Sequence, residues 1–286
     1  MGGVTHAQII KPGPVRLWLF LCVFFYVEKL ARYLLDSVLI MKTTLKSLLI
    51  GGSLLTATTA FAEIEAELYT GYHSIYEFRG VDLGDDLVDL GLDLNYELAE
   101  GLSLNGGAWY ASWDAGGSDD ELDLYIGLTK TLGAVDLSVG YTYYMFPGDS
   151  DVNTEEVFLG VSTELESGLG LALTYYEDID QIGGGYLEFE AAKSFELSEC
   201  LVVDVAAGAA WCDDYELNSD IDGSAMDGFN HWYVTVAVPF ELKEDVTLTP
   251  YIKYVDASSD LDSSLVDAGA ESDDHFYAGV SLSVAF

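Results

Sequence analysis

The chain ends with the sequence DHFYAGVSLSVAF, residues 274–286, in which apolar side chains alternate with polar or small ones. Every second residue is apolar, and the last of them is aromatic: Phe276, Ala278, Val280, Leu282, Val284 and Phe286. A period of two residues is that of a β-strand whose two faces meet different surroundings. Because about ten residues are enough for a tilted strand to cross a bilayer, this segment predicts a membrane-spanning strand with one face in lipid.

The same alternation recurs along the chain from residue 64 onward. It predicts twelve strands, namely Ile64–His73, Leu87–Tyr96, Leu102–Trp113, Glu121–Thr131, Val135–Phe146, Thr154–Leu165, Leu169–Glu177, Gly185–Phe195, Leu201–Trp211, Asn230–Leu242, Val246–Val255 and Asp274–Phe286. Longer, Asp-rich connections follow the odd strands and tight turns follow the even ones. This rhythm predicts an all-β fold, a closed antiparallel transmembrane β-barrel of the bacterial outer membrane. The first connection, Ser74–Asp86, is expected to be a long external loop.

A soluble β-sandwich would also alternate apolar and polar residues, and it is the alternative fold. The uniform length of the predicted strands favours the barrel. So do the aromatic residues near the ends of the apolar faces, such as Tyr72, Tyr96 and Trp211, because transmembrane barrels carry aromatic girdles at both membrane interfaces.

The charge balance excludes one class of function. The chain has 49 acidic and 11 basic residues and a net charge of −38. A nucleic-acid partner is not expected, because there is no basic surface to contact phosphates. Hydrophobic residues make up 50% of the chain, which is enough apolar surface to order it.

The N-terminal region predicts export. Residues 41–62, MKTTLKSLLIGGSLLTATTAFA, have the basic start, the short apolar segment and the small-residue cleavage site of a signal peptide. We therefore expect residues 63–286 to be the outer-membrane barrel. Residues 1–40 are interpreted as an extension upstream of the true translation start, and a long signal anchor is the alternative.

A short motif follows the first predicted strand. The segment Tyr76-x-Phe78-Arg79-Gly80 resembles the aromatic-x-Phe-Arg-Gly signature of the TorF-type porins, a proteobacterial family of outer-membrane proteins. The terminal aromatic residue, Phe286, also resembles the final recognition strand of outer-membrane proteins. The resemblance implies a barrel that is made with a signal peptide. It supplies neither a substrate nor catalytic residues.

The face opposite the apolar one would line the lumen and would be strongly acidic. The predicted lumen-lining residues are Glu65, Glu67, Asp89, Asp93, Asp123, Asp136, Glu156, Glu164, Glu188, Glu190 and Asp204. Because carboxylates around a passage attract cations and repel anions, these residues predict a cation-preferring porin for small hydrophilic solutes, cationic or neutral, surrounded by outer-membrane lipids. The alternative is a structural or adhesive barrel without an open pore. Barrels of about eight strands are filled by side chains and barrels of about sixteen or more enclose a water channel, and twelve strands lie between these two cases.

Basic residues are rare in residues 63–286. Arg79 is the sole arginine there, and it is expected either to form a constriction with the acidic wall or to anchor the first loop. Lys253 is expected to point inward, whereas Lys130 and Lys193 fall on the apolar face near strand ends, where their ammonium groups can reach water.

No catalytic or metal motif is present, and no catalytic residue, metal or cofactor is expected. The chain lacks a Gly-x-Ser-x-Gly elbow and the paired His or Cys spacings of zinc sites. His73 and His275 are predicted to point inward near the rim. A catalytic interpretation would bring them to an inward carboxylate such as Glu65 or Glu67, and the favoured interpretation is that they are polar rim residues. The external loops carry many aspartates that suit divalent cations, but Asp220-Ile221-Asp222-Gly223 is only a fragment of an EF-hand loop. Cys200 and Cys212 lie at opposite ends of one strand and are not expected to pair.

Overall fold

The computed structural model describes residues 64–114, 119–148, 152–198, 200–215, 226–258 and 274–286. The predicted extension, 1–40, the signal peptide, 41–62, and the acidic segment 220–223 lie outside these residues. Within them, no helix is long and apolar enough to cross a bilayer.

The described residues form thirteen β-strands. They are β1 Ile64–Phe78, β2 Val81–Ala99, β3 Leu102–Asp114, β4 Asp119–Leu132, β5 Val135–Met145, β6 Thr154–Glu164, β7 Gly170–Asp178, β8 Gly185–Ser198, β9 Leu201–Tyr215, β10 Met226–Ala237, β11 Phe240–Lys243, β12 Val246–Ala257 and β13 His275–Ala285. Their bounds agree with the alternating sequence pattern to within a few residues at most ends.

The strands close into one antiparallel barrel. Each strand from β1 to β10 pairs with the next, β12 pairs with both β10 and β13, and β13 pairs with β1. β10 and β11 are two parts of a single barrel strand, interrupted at Val238-Pro239, because proline has no amide hydrogen for the ladder. The Val238 amide still donates to the Pro250 carbonyl, 3.0 Å away. The prediction of a closed barrel of twelve strands is thus confirmed.

The two faces of the strands differ as the alternation predicted. Large apolar side chains such as Leu90, Ile126, Leu159 and Phe276 are at least half exposed on the outer face. Polar side chains such as Asp89, Glu121, Glu156 and His231 are buried on the other, which we call the interior face. This distribution is the reverse of that in a water-soluble protein and suits a barrel surrounded by hydrocarbon.

The first connection differs from the prediction. Ser74–Asp86 is not a long loop, because β1 continues to Phe78 and β2 begins at Val81. Only Arg79 and Gly80 remain in the turn, with φ angles of 54° and 86°. Two successive residues with positive φ form a type I′ turn, whose twist matches that of a β-hairpin. We call residues 76–83 the hairpin tip.

Candidate functional site in the barrel interior

The hairpin tip reaches across the barrel. The Arg79 guanidinium lies 2.8 Å (Nη1 to Oε2) and 3.0 Å (Nη2 to Oε1) from the Glu156 carboxylate. It also donates to the Tyr215 hydroxyl. Glu156 belongs to β6 and Tyr215 to β9, whereas the barrel neighbours of β1 are β2 and β13. The tip therefore lies within the interior and contacts the opposite wall.

Aromatic rings enclose the Arg79 guanidinium. Its central carbon lies 4.4 Å from the ring centroid of Tyr186, 4.8 Å from Tyr176, 4.9 Å from Phe78 and 5.1 Å from Tyr215. Cations within about 6 Å of a ring centroid are attracted by the ring quadrupole. Burial by itself lowers the pKa of Arg79, but the oxygens of Tyr215 and Glu156 raise it above its usual range. Arg79 thus remains charged and has the geometry of an anchor.

The backbone of the turn is also held by residues of β10. The buried side-chain amide of Asn230 donates to the Arg79 carbonyl, 2.7 Å away. A Cβ on Gly80 would lie only 2.8 Å from Nδ1 of the buried His231. The Gly80 amide donates to the Glu77 carboxylate at 2.7 Å. This close approach leaves room for glycine and not for a larger residue.

A second ion pair lies next to the turn. Lys253 of β12 forms a salt bridge with Glu77, to which the Tyr277 hydroxyl also donates at 3.1 Å. The Lys253 ammonium lies 4.4 Å from the ring centroid of Tyr233. Lys253 points inward, as the sequence predicted. Its partner, Glu77, was assigned by the sequence analysis to the loop Ser74–Asp86.

A cavity of about 250 Å³ lies beside the hairpin tip. Its wall includes both ion-paired cations, two acidic residues and several tyrosines, among them Glu77, Arg79, Tyr176, Tyr186, Glu188 and Lys253. A further cavity of about 360 Å³, lined in part by Glu164 and Asp204, lies near the strand ends joined by tight turns. We call that end of the barrel the tight-turn end.

The eleven acidic residues predicted for the lumen all lie on the interior face, but they do not converge on one site. They are distributed over seven strands, and several are engaged by polar neighbours. Trp109 Nε1 donates to Asp89 at 3.1 Å and Asn95 to Glu65 at 3.0 Å, while Tyr125 donates to Asp93. Glu156 binds Arg79 and accepts a hydrogen bond from the Tyr144 hydroxyl at 3.1 Å. Glu188 and Glu190 lie 2.9 Å and 2.7 Å from the Tyr233 hydroxyl.

Three of the other predicted acidic residues differ from one another in their surroundings. Glu67 is exposed and stands opposite Asp93 in the ladder. Asp136 stands opposite Ser162 on β6. Asp123 follows Glu121 by two residues on β4, so that both carboxylates point into the interior, and Glu121 accepts a hydrogen bond from Tyr76 at 2.7 Å.

His73 does not meet Glu65 or Glu67, as a catalytic interpretation would require. His73 instead lies 3.3 Å from Asp89 and 2.5 Å from the Tyr251 hydroxyl. Glu65 and Glu67 precede His73 in β1 by eight and six residues, which at about 3.3 Å per residue puts them some 20 Å or more away. Neither neighbour of His73 is a serine nucleophile, and no group of three His, Cys, Asp or Glu side chains among the described residues could hold a metal.

Several interior residues were not predicted, notably Glu77, Glu121, Asn230 and the rings around Arg79. Glu121 lies two residues before Asp123 on β4 and therefore on the same face, so the alternation alone could have placed it in the interior. The partners of Arg79 were not, because they come from strands far away in the sequence.

The fold is similar to that of solved outer-membrane β-barrels. An outer membrane channel from Pseudomonas putida F1 has a TM-score of 0.51 at 14% identity, covering 82% of this chain and 98% of that one. The NanC porin has a TM-score of 0.49 at 9% identity, covering 77% and 98%. LpxR from Salmonella typhimurium has a TM-score of 0.47 at 10% identity, covering 77% and 99%. At these identities the likeness concerns the fold alone.

Residues 64–286 identify the family. The chain belongs to the family described as bacterial protein of unknown function (Gcw_chp). No curated protein is detectably similar to it in sequence.

Proposed function

We propose that the chain is an outer-membrane porin of the TorF type through which small hydrophilic solutes diffuse, cations in preference to anions. Residues 41–62 would direct its export, and the outer face of the barrel would contact the lipids of the outer membrane.

The observation that carries this proposal is the charge of the interior face. The eleven predicted acidic side chains project inward from seven strands of a closed barrel, and Asp178 adds a buried carboxylate on β7. Among the described residues, the two basic side chains on this face, Arg79 and Lys253, are each paired with a glutamate. The acidic residues outnumber them, so a solute in the interior would experience a negative potential. In a confined passage with low-dielectric walls, such a potential raises the local concentration of cations.

The hairpin tip would set the width of the passage. It lies across the interior with Arg79 seated on the far wall, and the cavity of about 250 Å³ lies beside it. We therefore expect a narrow pore with a small unitary conductance.

The test is a recording from the purified barrel in a planar bilayer with a KCl gradient. A cation-preferring porin gives a current whose reversal potential lies towards the K⁺ equilibrium potential. A reversal potential towards that of Cl⁻ would contradict cation preference and leave a porin of other selectivity. Parallel measurements of solute flux into vesicles would define the size limit for neutral solutes.

The seated hairpin tip also favours a second candidate function. If the tip closes the barrel completely, the chain is a structural or adhesive barrel, and its acidic external loops would bind divalent cations. Its signature is the lack of current through the wild-type barrel, together with a clear current once Arg79 is replaced by alanine and the tip is released.

A further inference from the structure

The cavity beside the hairpin tip has unusual surroundings for a site in an acidic barrel. Its wall includes the rings of Tyr176, Tyr186 and Tyr233 and the carboxylates of Glu77 and Glu188. The cavity volume of about 250 Å³ far exceeds the roughly 10–15 Å³ that a single water requires, so a small organic solute fits.

The charges around this cavity do not balance. Arg79 is neutralised by Glu156 and Lys253 by Glu77. Glu188, however, forms no ion pair with any described residue, and neither does Glu190, which follows it on the same face of β8. Glu188 lines the cavity and Glu190 lies next to it on β8, so the pair presents two carboxylates with no basic side chain in direct contact among the described residues, and Lys253 and Arg79 act on Glu188 only from further away.

The hydrogen bonds of this glutamate pair are also incomplete. The Tyr233 hydroxyl lies 2.9 Å from Glu188 Oε1 and 2.7 Å from Glu190 Oε2. A tyrosine hydroxyl has one proton to donate, so it satisfies one of the two carboxylates and leaves the other facing an oxygen. A ligand that brings N–H donors and a positive charge supplies what this arrangement lacks.

The surrounding rings already hold cations of the chain itself. Tyr186 and Tyr176 contact the guanidinium of Arg79, and the Tyr233 face contacts the ammonium of Lys253. The wall of this cavity is therefore chemically suited to guanidinium and ammonium groups. An anion would face the two glutamates, and a neutral polyol would leave their charge in place.

We infer that this cavity binds a small organic cation, carrying a guanidinium or ammonium group, between the tyrosine faces and the Glu188–Glu190 pair. The inference rests on the proposed porin function in that it names the class of solute the channel would select. The positive group would lie against the glutamate pair, and the apolar part of the solute would lie along the rings.

The test is a calorimetric titration of the detergent-solubilised full barrel with n-butylguanidinium chloride. The comparison ligand is n-butylurea, which has nearly the same shape and no charge. We expect n-butylguanidinium to bind at least about tenfold more tightly, because charge-assisted hydrogen bonds exceed neutral ones by this margin or more.

Two matched variants locate the site. Glu188→Gln with Glu190→Gln should weaken n-butylguanidinium binding about tenfold or more. Glu166→Gln with Glu244→Gln, which removes the same charge from exposed positions in tight turns, should leave binding within about twofold of the wild type. The single variant Glu188→Gln gives a second, milder change, and heat-modifiable gel migration confirms that each barrel is closed.

The inference would be overturned by equal binding of n-butylurea, by equal losses in the two double variants, or by the lack of a heat of binding in the wild type. Calorimetry needs no ion current, so its result is separable from that of the bilayer recording. Binding without current would contradict the porin and keep the site, whereas current without binding would contradict the site alone.

Discussion

The guanidinium of Arg79 lies 2.8 Å from the carboxylate of Glu156, although the two residues are 77 positions apart and their strands lie on different sides of the barrel. Both side chains are almost completely buried, and their two parallel N–H···O contacts form a bidentate pair. The contact fixes the hairpin tip across the interior, so a local turn determines how much of the lumen is occupied.

Removing Arg79 should release the hairpin tip. Arg79→Ala leaves Glu156 buried without its cation, and breaking a buried pair in this way typically costs about 3–5 kcal/mol. We expect a lower free energy of unfolding in lipid vesicles and a larger unitary conductance in a planar bilayer. The double variant with Glu156→Gln should recover part of the stability, because the uncompensated charge is gone, but should keep the larger conductance. An unchanged conductance in Arg79→Ala would show that the tip does not limit the passage.

The Gly80 position offers an independent way to displace the tip. Gly80→Ala places a methyl group 2.8 Å from His231 Nδ1 at a φ of 86°, where a side chain costs about 1–2 kcal/mol even without a collision. We expect a larger conductance. We also expect the barrel to unfold at a lower temperature, measured as the temperature at which its migration on a gel changes from the folded to the unfolded position. Gly133→Ala is the matched control, because Gly133 has a φ of 68° and open space around it. If the two variants behave alike, backbone strain alone explains the effect and the His231 contact has no role.

The alternation of side chains made most of the barrel predictable. Each strand has an apolar outer face and an interior face, and a shift of the strand register by one residue would move every side chain to the opposite face. For this reason the parity of Asp89, Asp123 or Glu188 placed them on the interior face without knowledge of the fold.

The hairpin tip was not predictable for an equally physical reason. Gly80 and the aspartates that follow it are typical of loops, and an arginine with a φ of 54° departs from the Asn-Gly or Asp-Gly pairs that favour a type I′ turn. The contacts that overcome this local preference come from Glu156, Tyr215 and Asn230. A local sequence pattern carries no information about such distant partners.

The interior glycines illustrate the same limit. Gly91 and Gly107 share the parity of the acidic residues and carry no functional signal in the sequence. In the structure, the rings of Tyr69 and Tyr125 from the neighbouring strands lie directly over them, where a Cβ would collide with the ring. Glycine is required there because a large cross-strand side chain approaches the backbone.

Ion selectivity should respond to the inward lysine. Lys253→Gln removes the cation that neutralises Glu77, so the interior gains one uncompensated negative charge. We expect the reversal potential in a KCl gradient to move by a few millivolts further towards that of K⁺, together with some loss of stability, since Glu77 loses its buried partner. Lys193→Gln removes the same charge from the tight-turn end, where Lys193 donates to the Ser167 carbonyl at 2.8 Å, and should leave the reversal potential unchanged. Equal shifts in the two variants would mean that overall charge, and not the interior, sets the selectivity.

The two cysteines of residues 63–286 provide a direct measure of where the hairpin tip lies. No disulfide joins them: Cys200 is exposed at the start of β9, while Cys212 is buried in a cluster with Val81 of the tip, Tyr186 and Tyr215. Because a maleimide reacts with an accessible thiolate, we expect Cys200 to be modified in the folded wild-type barrel and Cys212 to be modified only after denaturation.

Arg79→Ala should make Cys212 reactive in the folded barrel, since release of the tip removes Val81 from this cluster. The reaction is followed by mass spectrometry of the peptides that contain each cysteine, with Cys200 as the internal control for reagent and time. Gly133→Ala, which alters a turn at the tight-turn end, should leave Cys212 protected. If Cys212 stays protected in an Arg79→Ala barrel whose conductance has risen, then the added current passes beside a tip that remains seated, and the anchoring role of Arg79 is contradicted.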